Sequence, residues 1–107
     1  MNIAIIFAGG TGTRMNSRSK PKQFLEVHGK PVLIYTMENF QNHPLIDKII
    51  LVCVKSWIGY AQQLISKYDI TKAVKVISGG ATGQASIYKG LKAAKELYGD
   101  NHIVLIH

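Results

Sequence analysis

The sequence holds a single cysteine, six acidic residues and no apolar run approaching the roughly 18 residues a membrane-spanning helix needs. One thiol forms no internal disulfide, so the chain is not a stapled secreted module, and a reducing, cytoplasmic setting is expected. Cys53 lies inside the apolar run IILVCV and reads as a small buried hydrophobe rather than a nucleophile. The four histidines include no pair at ligand spacing with a cysteine or carboxylate, which argues against an all-protein zinc site. The opening MNIAIIFAGG has no basic start and is broken early by glycine, so it does not read as a secretory leader. Charged residues are only 18% of the chain and hydrophobic ones 47%, which excludes a disordered, charge-rich segment. Its 107 residues suffice for one small domain.

What the chain has is positive charge, 13 Lys and Arg against 6 Asp and Glu, for a formal net charge of +7. That balance suits an anionic partner: nucleic acid, a membrane surface or a phosphorylated small molecule. Its distribution narrows the choice. Arg14, Arg18, Lys20 and Lys22 fall together in FAGGTGTRMNSRSKPKQFL, directly after the first apolar run. Lys89, Lys92 and Lys95 read as the wet face of a helix.

Apolar runs at 3–8 (IAIIFA), 48–54 (KIILVCV), 73–77 (AVKVI) and 103–106 (IVLI) predict four strands. Helical spacing of Leu33, Ile34, Met37 and Phe40 predicts a helix opening at Pro31 and broken at His43-Pro44. A second helix is predicted over 56–68, with Trp57, Tyr60, Ala61, Leu64, Ile65 and Tyr68 on its inner face. A third is predicted over 82–98, with an apolar stripe of Ala85, Ile87, Leu91, Ala94 and Leu97. Val27-His28-Gly29-Lys30 reads as a turn. Strands this apolar need cover on both faces. The fold class expected is therefore α/β: a doubly wound, mostly parallel, Rossmann-like sheet with right-handed crossovers.

In such sheets ligands bind beyond the carboxyl ends of the strands, where Ala8-Gly9-Gly10 and Ser78-Gly79-Gly80 both fall. Glycine lets the backbone come close to a ligand and aim N–H groups at phosphate oxygens. Two well-known phosphate loops do not match. No Gly-Lys-Ser/Thr step is present, which removes the Walker A loop. Gly10-Thr11-Gly12 is followed by Met15 where the dinucleotide fingerprint needs a third glycine, and Glu38 is only a loose match to its ribose acid. What remains is G-G-x-G-x-R and then Pro21-Lys22-Gln23. Arg14 is a fixed fork for phosphate oxygens and Lys22 a mobile point charge. Pro21 holds Lys20 extended and helps aim Lys22. Together they suit a triphosphate and the charge that builds at its α-phosphorus.

At these residues the chain resembles the cytidylyltransferases that make CDP-polyols, from 2-C-methyl-D-erythritol 4-phosphate or ribitol 5-phosphate. The likeness rests on Ala8-Gly9-Gly10-Thr11-Gly12-Thr13-Arg14-Met15, on Pro21-Lys22-Gln23-Phe24-Leu25, and on Gly79-Gly80 followed by Ser86, Ile87 and Gly90-Leu91. The resemblance implies a nucleotidyltransferase sheet, of which residues 1–107 are the N-terminal, CTP-binding portion, incomplete at the C-terminus. It implies that Ala8, Gly9, Gly10, Thr11, Gly12 and Thr13 cradle the CTP phosphates. Arg14 and Lys22 would be catalytic, steadying the charge as a polyol-phosphate oxygen attacks. Gly79, Gly80 and Ser86 would surround the cytosine and ribose. Mg²⁺ is implied as cofactor and a homodimer as the full-length assembly, with neither membrane nor nucleic acid as partner. The products would feed isoprenoid or teichoic acid biosynthesis.

Two departures stand out. Many members carry an acid directly after the second Gly-Gly and an arginine two residues later, whereas Ala81 and Gly83 occupy those places. The family's next segment begins His-Asp-x-x-Arg-Pro, and only its histidine, His107, is present. The metal-binding aspartate is therefore expected beyond His107, and the 107-residue chain alone is expected to be inactive. Gly9, Thr13 and Trp57 lean toward the ribitol 5-phosphate branch. The alternatives are a sugar-1-phosphate nucleotidyltransferase using another nucleotide, a basic nucleic-acid-binding module, and a relative that binds nucleotide without turnover.

Overall fold

The computed structural model describes residues 1–8, 22–100 and 102–107. Four strands make one parallel sheet: β1 (Asn2–Ala8), β4 (Lys48–Cys53), β5 (Ala73–Ser78) and β6 (Ile103–Ile106), in the order β5-β4-β1-β6. A small antiparallel hairpin, β2 (Glu26–Val27) with β3 (Lys30–Pro31), precedes the first helix. Its turn puts His28 and Gly29 at φ 54° and 77°, the left-handed pair that a tight hairpin turn requires. Helices α1 (Val32–Gln41), α2 (Ile58–Lys67) and α3 (Gly83–Tyr98) connect the strands.

The sheet is covered on both faces at its centre, because alternate residues of β1 and β4 point to opposite sides. Ala4, Ile6, Ala8, Ile49, Leu51 and Cys53 pack with Leu33, Ile34 and Met37 of α1 and Ala61 and Leu64 of α2. Ile3, Ile5, Ile50 and Val52 pack with Ala94 and part of Ala93 and Tyr98 of α3. Both inner strands are therefore almost wholly buried, which their continuous apolar sequences require. The doubly wound α/β expectation is met.

Two expectations about packing change. The buried line of α3 is Ser86, Gly90 and Ala94, while Leu91 and Leu97 are exposed. The helix lies so close to the sheet that a Cβ at position 90 would sit 2.8 Å from Ile5 Cγ2. Small residues therefore face inward and the leucines are displaced to the flank. At β6 the apolar sequence predicts full burial, yet Ile103, Leu105 and Ile106 are exposed. The described helices pack over β1 and β4 rather than over this edge strand. No helix among the described residues is long and apolar enough to cross a membrane.

Candidate nucleotide site

The register aligns three strand ends: Ala8 pairs with Cys53, and Cys53 with Ser78. Ala8 and Ser78 therefore close two strands at the same end of the sheet, with β4 alone between them, roughly 10 Å at normal strand spacing. The chain bends where β5 ends. Gly79 still donates to Cys53 O at 3.0 Å, and the Gly80 amide then donates to Ser86 Oγ at 2.9 Å.

Both glycines are sterically required there. A Cβ on Gly79 would lie 2.9 Å from Ser86 Oγ, and one on Gly80 would lie 2.5 Å from the Ala85 Cβ. The first would displace the Ser86 hydroxyl, and the second would displace the first turn of α3. The helix itself starts at Thr82, whose hydroxyl caps it by accepting from the Ala85 amide at 3.0 Å. This cap, three residues before Ala85, fixes where Ser86 emerges. Ser86 is buried, and its oxygen accepts from Gly80; a hydroxyl can donate as well as accept. On the outer side, Lys89 Nζ reaches both Ser78 Oγ and Gly79 O at 3.3 Å. The cradle is thus held from inside by a hydroxyl and from outside by an ammonium group.

Lys22 opens a short 3₁₀ turn, Lys22–Phe24, and is exposed. Its neighbour Phe24 is fully buried, in the same cluster as Ala8 and Cys53. The Phe24 ring stacks on Trp57 at 5.3 Å between centroids and meets Tyr60 edge-on at 5.4 Å. Trp57 and Tyr60 also meet edge-on, closing a three-ring cluster. These aromatics work as packing, as their helical spacing predicts. Their effect is to moor the segment that carries Lys22 beside the carboxyl end of β1. Sequence reading assigned Trp57 to the core but missed this mooring, because ring stacking between residues 24 and 57 leaves no periodic signal. The Gln23 side-chain oxygen is buried and has no hydrogen-bond partner among the described residues.

The structure therefore brings Ala8, Gly79, Gly80 and Ser86 to one end of the sheet, with Lys22 beside it. The predicted phosphate-loop residues Gly9, Gly10, Thr11, Gly12 and Thr13, and Arg14, lie outside the described residues. Glu38, the loose match to a ribose acid, instead pairs with Lys30 on the hairpin. His107 continues the β6 pairing, exchanging backbone hydrogen bonds with Ile5 and Phe7, and its ring meets Phe40 edge-on. Burial pushes the Cys53 thiol up to about 11, consistent with an inert core residue. Among the described residues no three His, Cys, Asp or Glu side chains come together.

Comparison with known proteins agrees with this geometry. The chain is 53% identical, over its whole length, to a ribitol-5-phosphate cytidylyltransferase of Streptococcus agalactiae, covering 45% of that protein. It is 46% identical to a 2-C-methyl-D-erythritol 4-phosphate cytidylyltransferase of Clostridium acetobutylicum, again covering all of this chain and 45% of the relative. Among solved structures, 4-diphosphocytidyl-2C-methyl-D-erythritol synthase from Anaerococcus prevotii superposes with a TM-score of 0.72 at 32% identity, over 99% of this chain and 41% of that one. The chain thus spans about half the length of the curated relatives it matches. A family model matches residues 2–107, that is, both strand-end glycine pairs and the Pro-Lys-Gln segment together. The chain belongs to the 2-C-methyl-D-erythritol 4-phosphate cytidylyltransferase family.

Proposed function

We propose that residues 1–107 form the CTP-binding portion of an enzyme that transfers the cytidylyl group of CTP to a polyol phosphate. A phosphate oxygen of the polyol phosphate attacks the α-phosphorus. The bond from that phosphorus to the bridging oxygen breaks, and pyrophosphate leaves. The main-chain amides after Ala8, in the segment Gly9 to Thr13, meet the phosphates. Arg14 and Lys22 balance the charge that gathers at the α-phosphorus and on the leaving group. The Gly79-Gly80 bend leaves room for the base against bare backbone, and the Ser86 hydroxyl serves as a donor to the nucleotide.

The observation that carries this reading is the Gly80–Ser86 bond at the carboxyl end of the sheet. It explains why both glycines and a buried serine are needed in one short segment. Magnesium is part of the proposal only as a companion of the triphosphate. The described residues do not by themselves make a site for it, and no step above runs through it. Of the two acceptors, ribitol 5-phosphate is the one we favour, on the higher identity to the Streptococcus relative. A dimeric, cytoplasmic enzyme completes the reading. The nucleic-acid alternative loses support, because Trp57 and Tyr60 are committed to the cluster around Phe24.

Pyrophosphate release by the full-length protein is the test, with CTP, UTP, ATP and GTP each paired with ribitol 5-phosphate and with 2-C-methyl-D-erythritol 4-phosphate. Release with CTP well above the other nucleotides, and with ribitol 5-phosphate above the branched acceptor, is expected. Equal use of the four nucleotides would refute the cytidylyl assignment.

A further inference from the structure

A groove of about 520 Å³ runs along the outer edge of the sheet, between β5 and α3. Its upper end reaches Ser78, Gly80 and Ala85, so it abuts the candidate nucleotide site at the Gly79-Gly80 bend. Lys75 of β5 and Lys89 and Lys92 of α3 line it, with Ile77, Tyr88 and Glu96. Three lysines against one glutamate leave it with a net charge of +2. Lys89 is already placed, its ammonium group bonded to Ser78 and Gly79. Among the described residues neither Lys75 nor Lys92 is in an ion pair. Tyr88 is 65% exposed among the described residues. The three lysines of α3 are exposed, as their spacing predicts; Lys95 meets Asp100 at 3.6 Å, while Lys89 and Lys92 border the groove.

We propose that this groove is a second binding site, for a small phosphate-bearing ligand with a planar ring. Its volume is in the range of small-molecule pockets, about 300–1,000 Å³, and its lining joins apolar surface to a few charged groups, as such pockets do. Lysine ammonium groups are point charges suited to phosphate. The exposed ring of Tyr88, with Ile77 beside it, offers a surface on which a planar group stacks. Glu96 accepts hydrogen bonds from amino or hydroxyl groups at the other end. A nucleoside monophosphate has each of these parts. The groove shares Gly80 with the site proposed for CTP, so its test is made with that site filled.

Calorimetric titration of AMP tests this, using full-length protein already saturated with α,β-methylene CTP. The prior titration of the CTP analogue reports independently on the first site. Saturable AMP binding at one site is expected, at least about tenfold tighter than inorganic phosphate or adenosine alone, and weakening as salt rises. The K75E/K92E variant is expected to lose that affinity by about tenfold or more while binding the CTP analogue normally, which also shows that it is folded. Absence of AMP binding to the saturated protein overturns the proposal. So does AMP binding that the K75E/K92E variant retains, and so does phosphate binding as tightly as AMP.

Discussion

The Gly80 amide donates to the Ser86 hydroxyl oxygen at 2.9 Å, joining the carboxyl end of β5 to the first turn of α3. Ser86→Ala removes the acceptor and strands a partly buried N–H. Such a loss costs about 1–3 kcal/mol. Urea unfolding should show that drop, and CTP affinity should fall with it. Gly80→Ala should be worse than Ser86→Ala, because its Cβ would lie 2.5 Å from that of Ala85.

Gly90 faces the sheet at close range. In an exposed helix Gly→Ala would gain about 1 kcal/mol. Here the added carbon meets Ile5 Cγ2 at 2.8 Å, and overpacking a core costs about 1–3 kcal/mol. Gly90→Ala is therefore expected to lower the urea midpoint, whereas a substitution made for helix propensity alone would raise it.

Phe24 links stability to catalysis. Phe24→Ala should cost about 3–5 kcal/mol through lost burial. Trp57→Phe is the milder probe, since it keeps a ring against Phe24. It should preserve most of the stability yet lower kcat more than it raises KM for CTP, because the mooring of Lys22 loosens. Equal kcat in Trp57→Phe and the unaltered enzyme would separate the aromatic cluster from the chemistry.

Cys53 titrates on burial alone. Its thiol ionises near 9.0 when free and at about 11 in the fold. Because the folded value is raised, the unfolded state loses its proton first as pH climbs. The contribution to stability is thus whole below pH 9.0 and shrinks as pH rises toward 11. Unfolding midpoints across that range should decline less steeply in Cys53→Ala, and an aromatic disulfide reagent at pH 8 should label Cys53 only after unfolding.

Much of this architecture was legible in the sequence for physical reasons. IAIIFA and IILVC are apolar at every position because both their faces are covered, and Gly or Pro marks many of the turns. The hairpin at Glu26–Val27 and Lys30–Pro31 was visible only as its turn, since two-residue strands carry no period. Hydrophobicity misplaced the inner line of α3, because a helix pressed against a sheet selects size over polarity, and Ser86 and Gly90 carry no apolar signal. The edge strand β6 shows the reverse: its residues are apolar, but burial depends on what packs beside them. At the site, Gly79, Gly80 and Ser86 were picked out by motif and position, while the Phe24–Trp57 stack and the Lys89 bonds to the strand end depend on tertiary contacts.

The account depends most on cationic compensation of the CTP phosphates by Arg14 and Lys22. Single-turnover pyrophosphate release, measured on the full-length protein with Arg14→Ala and Lys22→Ala made together, tests it most directly. A fall of at least about 10²–10³-fold is predicted, the effect of deleting a single charge-stabilising donor. Turnover equal to that of the unaltered enzyme would contradict it.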